Sequence, residues 1–184
     1  NEINVRSLWN YMSYVDLKTY VREYVRAFRI CYNVIRSINA NARVYISLDQ
    51  QWNRELTGES SYNSKAVLDE FNAQIMEEGN IGWGLAHHPY SLPMTWPKFW
   101  EMSGRDAGLV LDSENTPVAT IYNIGVVTDY LQKEEFLDPD GEVRPFLLSE
   151  MGFSSAYGED AQAAAFVYAY YIAESNPYID ALIL

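Results

Sequence analysis

The chain has 184 residues, enough for one domain with a sizeable core. It contains 25 acidic and 13 basic residues, and the resulting formal net charge of −12 disfavours binding to nucleic acid or to an anionic membrane surface. The single cysteine, Cys31, excludes an internal disulfide and a cysteine-rich zinc site, and no apolar run approaches the ~18 residues that cross a bilayer.

Predicted helices and strands alternate along the chain. Apolar residues recur at helical spacing in four segments, 17–39, 64–78, 121–134 and 159–174. Asn63 is a candidate N-cap for the second helix and Gly79 a stop signal after it. In the fourth helix the predicted buried residues are Phe166, Val167, Tyr170 and Tyr171.

Four predicted strands separate these helices, at 43–48, 82–86, 144–149 and 178–184, and a proline-containing irregular stretch covers 87–120. Strands that alternate with helices of this length indicate βαβ units and a parallel sheet. The chain starts before a helix and stops in an apolar strand, so we expect residues 1–184 to be part of a larger α/β domain. A complete four-stranded doubly wound domain is the alternative.

Polar and aromatic residues follow each predicted strand, in segments 49–53, 87–90 and 150–153. Residues 1–4 have the same character and would follow a preceding strand. Ligands of parallel α/β folds bind at the carboxyl ends of the strands. We therefore expect these segments to share one pocket.

Two glutamates in these segments, Glu2 and Glu150, have the chemistry of glycosidic bond cleavage. That reaction needs one protonated carboxyl group to donate to the leaving oxygen and one carboxylate to attack or to activate water. Glu150 ends an apolar segment and is followed closely by Gly152. The competing interpretation is that Glu2 is a frayed terminal residue and Glu150 a solvated loop acid.

The aromatic content, 15%, is higher than a core of this size normally needs. An aromatic plane can stack on the apolar C–H face of a pyranose. Trp52 and Trp96 lie in predicted loops at the carboxyl edge of the sheet, where a sugar platform and ordinary packing are equal alternatives. Trp83 lies within a predicted strand and is assigned to the core.

Other candidate sites are weaker. His87 and His88 are adjacent and point to opposite sides of an extended segment, and the sequence has no acidic triad or further cysteine at ligand spacing. We therefore predict no metal and no cofactor. Asp49 also ends a strand, and a structural hydrogen bond is favoured there over a catalytic role.

Three motifs, in order, resemble those of the large clan of retaining (β/α)8-barrel glycoside hydrolases that use two glutamates. Asn1-Glu2 resembles the pair that ends the clan's fourth strand, and His88-Pro89-Tyr90 resembles the His-x-Tyr after its sixth. Segment 147–152 (LLSEMG) is similar to the seventh-strand motif. When the three motifs are aligned with these strands, the resemblance implies that the chain is the C-terminal half of a TIM barrel, strands four to eight. The chain is most similar to bacterial glycosidase-like barrel proteins.

The resemblance implies a role for each motif residue. Glu2 would be the general acid/base and Glu150 the nucleophile, about 5–5.5 Å apart as retention of configuration requires. Asn1 would bind the 2-hydroxyl of the sugar, Tyr90 would orient Glu150 through its hydroxyl, and His88 would help to hold the pocket. The implied substrate is a carbohydrate.

The predicted function is thus a polysaccharide-degrading glycosidase. A carbohydrate-binding barrel that has lost catalysis is the main alternative, and a barrel hydrolase or lyase acting on other substrates is a third. Half a barrel has open sheet edges, so the expected partner is the remaining half of the barrel or another chain. The acidic charge weakly favours a secreted or periplasmic location.

Overall fold

The computed structural model describes residues 1–9, 12–13, 15–56 and 61–184. The helices in these residues are α1 (Arg6–Trp9), α2 (Leu17–Ile38), α3 (Ser64–Glu77), α4 (Gly104–Ala107), α5 (Gly125–Leu131) and α6 (Glu159–Ser175). The strands are β1 (Val44–Asp49), β2 (Trp83–His88), β3 (Phe146–Leu148) and β4 (Ala181–Leu182). None of these helices is both long enough and apolar enough to cross a membrane.

The four strands form one parallel sheet in the order β1-β2-β3-β4. The predicted α/β class and parallel sheet are therefore confirmed. A doubly wound sheet reverses its strand order at a switch point, and this sheet has no reversal. The sheet is singly wound, so the doubly wound alternative does not describe it.

The two faces of the sheet differ in chemistry because side chains alternate along each strand. One face is apolar and covered by helices: Trp83 of β2 is fully buried, and its ring meets Phe71 of α3 edge-on at 5.2 Å. The opposite face carries small and polar residues, with Ser47 Oγ 3.2 Å from His88 Nε2. The candidate site residues Glu2, His88 and Glu150 lie on this polar face or at its carboxyl edge.

Side-chain caps define where the long helices begin. The Asn63 side chain accepts a hydrogen bond from the Ala66 amide at 2.8 Å, which confirms the predicted N-cap of α3. Asp16 caps α2 in the same way through the Thr19 amide. Gly79 follows α3 with a φ of +101°, a conformation that glycine adopts without strain, so the predicted stop is also confirmed.

The prediction for the inner face of the last helix was correct for Phe166, which is half-buried against the core, and wrong for the other three residues. Val167, Tyr170 and Tyr171 are 69%, 58% and 63% exposed. The buried face of α6 consists of three alanines at four-residue spacing, Ala165, Ala169 and Ala173. Small side chains let the helix backbone approach the sheet closely, which leaves the bulky aromatic residues on the outside.

Three other predicted elements are shorter than expected. The strand expected at 144–149 is only β3, Phe146–Leu148. The helix expected at 121–134 is a 3₁₀ turn, Ile121–Asn123, followed by α5. The strand expected at 178–184 pairs with β3 only at Ala181 and Leu182. Apolar patterning finds such segments but does not define how many of their residues form hydrogen-bonded structure.

Arg144 joins the amino-terminal ends of β2 and β3, at the edge of the sheet opposite the candidate site. Its guanidinium is buried, lies 4.0 Å from the Trp83 ring centroid and donates to the Asn80 side chain at 2.6 Å. It also donates to backbone carbonyls, including that of Leu137. Burial lowers the pKa of Arg144 to about 10. Its contacts fix the register of the two strands.

Candidate active site

The candidate site lies at the carboxyl edge of the sheet. His88 ends β2, and Glu150 follows β3 by two residues. Residues 1–4 lie beside the end of β1, because the Ile3 amide donates to the Ser47 carbonyl at 3.1 Å and Asn4 Nδ2 donates to Asp49 Oδ1 at 2.7 Å. Segments that are far apart in the sequence therefore meet at one edge.

His88 brings the two glutamates together. Its Nδ1 lies 3.0 Å from Glu2 Oε1 and 3.8 Å from Glu150 Oε2. The two carboxylate oxygens are therefore separated by no more than the sum of these distances, about 7 Å. His88 is buried, the Glu2 side chain is 17% exposed and that of Glu150 is 50% exposed. A ligand at the surface can therefore reach Glu150 most directly.

Glu2 accepts hydrogen bonds on both carboxylate oxygens. His88 occupies Oε1, and the Trp9 indole donates to Oε2 at 3.0 Å. The hydrogen bond to His88 is the main reason why the pKa of Glu2 is lowered, Trp9 adds to the effect, and partial burial opposes it. Glu2 is thus held as a carboxylate in the free protein.

Glu150 is oriented by Tyr90. The Tyr90 hydroxyl donates to Glu150 Oε1 at 2.8 Å, as the resemblance implied. Burial and the adjacent carboxylate raise the pKa of Tyr90 to about 12. Tyr90 therefore remains a neutral donor throughout the physiological range.

Asp49 has a structural environment. Its side chain accepts from Asn4, from Ser64 Oγ at 3.0 Å and from the Gln51 amide at 3.0 Å. Burial raises the pKa of Asp49 against the opposing effect of these donors. The hydrogen bonds connect β1 to residues 1–4 and to the start of α3, which fits the favoured structural interpretation.

Trp52, a predicted sugar platform, is not at the surface. It is fully buried, its indole donates to the Glu114 carbonyl at 3.0 Å, and its ring meets Tyr130 edge-on at 5.3 Å. The loop after β1 folds inward at this point, because the Asn53 amide donates to the carbonyls of segment 116–117. The packing alternative is correct for Trp52, and the residue lies outside the site.

Trp96 and Asn1 are more exposed to solvent than Trp52 is. Trp96 is half-buried in the loop after β2, and its ring lies 4.7 Å from that of Tyr157. Asn1 is exposed and precedes Glu2. His87, by contrast, points to the apolar face, where it is fully buried and its Nε2 lies 2.9 Å from the Ala119 carbonyl oxygen.

Sequence reasoning missed the contacts that three residues make in this region: Trp9, Ser47 and Tyr157. Ser47 was detectable, because it precedes Asp49 by two positions on a strand and so lies on the same face. No spacing rule connects Trp9 with Glu2 or Tyr157 with Trp96. In the part of the chain that the structure describes, no group of three or more His, Cys, Asp or Glu side chains is arranged to hold a metal ion.

Fold and site together define a singly wound parallel α/β protein with a Glu-His-Glu cluster at the carboxyl edge of its sheet. A family of unknown function, DUF5722, matches residues 1–184, and the chain belongs to this family. No curated protein and no solved structure matches the chain.

Proposed function

We propose that this protein is a retaining glycoside hydrolase in which Glu2 is the acid/base and Glu150 the nucleophile. The observation that carries the proposal is the position of His88, within 4 Å of both carboxylates. Two carboxyl groups at this spacing can act on the same glycosidic bond from its two sides. The Tyr90 hydroxyl supports the assignment, because a single donor on Glu150 leaves the other carboxylate oxygen available for attack.

The proposed reaction has two steps. Glu150 attacks the anomeric carbon and forms a covalent glycosyl ester while Glu2 protonates the leaving oxygen. Glu2 then removes a proton from water, which attacks the same carbon and releases the sugar and free Glu150. Tyr90 holds Glu150 in both steps, and Asn1, next to Glu2, is available to the 2-hydroxyl of the sugar.

The acid step requires a protonated Glu2, whereas the free protein favours its carboxylate form. Burial already opposes that effect. A bound sugar would cover the half-buried carboxyl group further, and this desolvation would raise the pKa of Glu2. In the proposal, substrate binding thus prepares Glu2 for proton donation.

The proposal is tested by replacing each glutamate with its amide. Glu150→Gln and Glu2→Gln should both abolish or strongly reduce turnover of an aryl glycoside with a good leaving group, and azide should restore product formation only to the Glu2 variant. Glu77→Gln, at an exposed position on α3, is the matched control. Wild-type turnover in both glutamate variants would refute the assignment.

A carbohydrate-binding protein without catalysis is the second candidate. The lowered pKa of Glu2 favours it, because an acid that stays ionised cannot protonate a leaving group. Calorimetry would distinguish the two functions: a non-catalytic protein would bind oligosaccharides and release no shorter product.

We also infer that the sheet belongs to a (β/α)8 barrel. The consecutive strand order and the polar face shared by Ser47 and His88 are both expected of a barrel wall. Among the described strands, β1 and β4 each pair on one side only, and residues 1–4 lie at the outer side of β1. The proposed partner is a set of further strands, from the same polypeptide or from a second chain, that pair with these edges.

A further inference from the structure

A cleft is formed by two of the loops at the carboxyl edge of the sheet. Its walls are the loops that follow β2 and β3, and these loops also carry Tyr90 and Glu150. A cavity of about 260 Å³ lies between the loops, and Trp96 and Tyr157 both line it. The two rings meet at 4.7 Å with an interplanar angle of 76°. The two rings are therefore in contact, nearly perpendicular to each other, and form an aromatic corner that lines the cavity.

Buried rings beneath the cleft hold its walls in place. Phe99, from the loop after β2, is fully buried and stacks on Phe153 of the loop after β3 at 5.5 Å. Phe99 also stacks on Tyr168 of α6 at 5.3 Å. This packing connects the two loops below Trp96 and Tyr157, so the corner is formed before any ligand binds.

The polar side chains around the cleft are mostly hydrogen-bond acceptors. Glu101, Ser103 and Asp106 line the cavity beside the two rings. Glu101 is ion-paired with Lys98, whose Nζ lies 3.5 Å from Glu101 Oε2. Acceptor oxygens beside an aromatic corner suit a ligand with an apolar C–H face and hydroxyl donors at its edge. Carboxylates in the rim, together with the net charge of −12, repel an anionic ligand.

We propose that this cleft is a binding subsite for one ring of an uncharged oligosaccharide, with Trp96 and Tyr157 as its platform. The volume lies just below the range of pockets that enclose whole drug-sized ligands, which fits one sugar ring. A second cavity of about 640 Å³ begins on the other side of Tyr157, where the next ring of a longer chain would lie. The role of the subsite in catalysis rests on the proposed glycosidase function, whereas its binding of a sugar is tested separately.

Calorimetric titration tests the binding claim separately from catalysis. The probes are cellohexaose, xylohexaose and mannohexaose as uncharged ligands, hexagalacturonate as an anion and glucosamine hexamer as a cation. Titrations use the Glu150→Gln protein, so that no ligand is consumed. We expect at least one uncharged hexasaccharide to bind, with the dissociation constant rising about tenfold in Trp96→Ala and in Tyr157→Ala.

Two further variants control this experiment. Tyr171→Ala removes an exposed ring from α6, about 18 Å along the helix from its first residue, and should leave binding unchanged. Trp96→Phe keeps an aromatic face and should retain most of the affinity. It also replaces the alanine variant if circular dichroism shows that Trp96→Ala does not fold.

The outcomes separate this proposal from the glycosidase proposal. If Trp96→Ala and Tyr157→Ala bind like the parent protein, if no uncharged hexasaccharide binds, or if a charged probe binds more tightly, the subsite is refuted even when the glutamates are catalytic. If the glutamate variants keep full activity on an aryl glycoside while ring removal still weakens binding, the subsite stands and the glycosidase assignment fails.

Discussion

Two adjacent histidines on β2 have opposite environments. His88 faces the polar side of the sheet and contacts both glutamates, whereas His87 is enclosed on the apolar side. Burial lowers the pKa of His87 to about 4, because a charged imidazole would lose its water there. His88 therefore belongs to the candidate site, whereas the adjacent His87 belongs to the core.

The low pKa of His87 predicts a loss of stability in weak acid. An unfolded chain binds a proton at this residue below its ordinary pKa of 6.5, whereas the folded chain does not do so until about pH 4. The free energy of unfolding should therefore fall as the pH drops from about 6.5 to about 4, by about 3 kcal/mol from this residue. Urea titrations across this range should show a shallower pH dependence in His87→Gln than in the wild type. Parallel curves for the two proteins would contradict the prediction.

Trp9 provides a test of the acid role of Glu2. Trp9→Phe removes the indole donor from Glu2 Oε2, so the carboxylate form loses stabilisation and the pKa of Glu2 rises. The basic limb of the kcat/KM profile should move to higher pH by about half a unit. Trp100→Phe, whose indole packs on Phe99, should leave the profile unchanged. A shift to lower pH, or none, would show that Glu2 is not the acid.

At the level of secondary structure, the Tyr45 ring of β1 lies close to Gly84 of β2 on the polar face. A Cβ atom on Gly84 would lie 2.5 Å from Tyr45 Cε1 and 2.7 Å from the Pro145 carbonyl oxygen. The Tyr45 ring could rotate, but the carbonyl belongs to the backbone that leads into β3. Glycine is therefore required here by space, not by its backbone angles.

The crowding predicts that Gly84→Ala destabilises the fold. Relief of the two contacts requires a shift of Tyr45 and of the strand spacing, at a cost of about 2 kcal/mol. Gly125→Ala at the start of α5 is the matched control, because nothing lies within 4 Å of its added Cβ. Chemical unfolding should show a lower midpoint for Gly84→Ala and an unchanged or higher one for Gly125→Ala. Equal unfolding midpoints for the two variants would show that the fold accommodates the added Cβ atom without losing stability.

On the scale of the whole molecule, the inferred barrel requires both edges of the sheet to be paired. The backbone N–H and C=O groups of Ser47 point away from β2, since its carbonyl accepts from the Ile3 amide. Those of Tyr45, two positions earlier, point the same way. The backbone N–H and C=O groups of Ile46 and Leu48 point towards β2, the strand with which β1 pairs.

Amide hydrogen exchange distinguishes a closed barrel from an open sheet. In a barrel the Tyr45 and Ser47 amides are hydrogen-bonded to a further strand and should exchange as slowly as those of Ile46 and Leu48. The Ile46 and Leu48 amides are internal controls, because they are paired in either arrangement. Fast exchange at Tyr45 and Ser47 beside slow exchange at the controls would contradict barrel closure.

Much of the fold was predictable because its signals are local. The periodicity of apolar residues predicted α2 and α3 to within one residue, and the Asn63 cap lies next to the helix that it begins. Parallel pairing followed from the alternation of strands and helices. That rule also placed Glu2, His88 and Glu150 at one edge before any distance was known.

The remaining features depend on which side chains meet across the sheet. Nothing near Trp52 in the sequence distinguishes a sugar platform from a core residue, and its burial results from a turn of the loop towards Glu114. The alanine face of α6 was likewise hidden, since hydrophobicity ranks Val167 above Ala169 for burial. Tight packing reverses that order, because the space between helix and sheet admits only small side chains. Periodicity reports how apolar a residue is, whereas its neighbours set the volume that it can occupy.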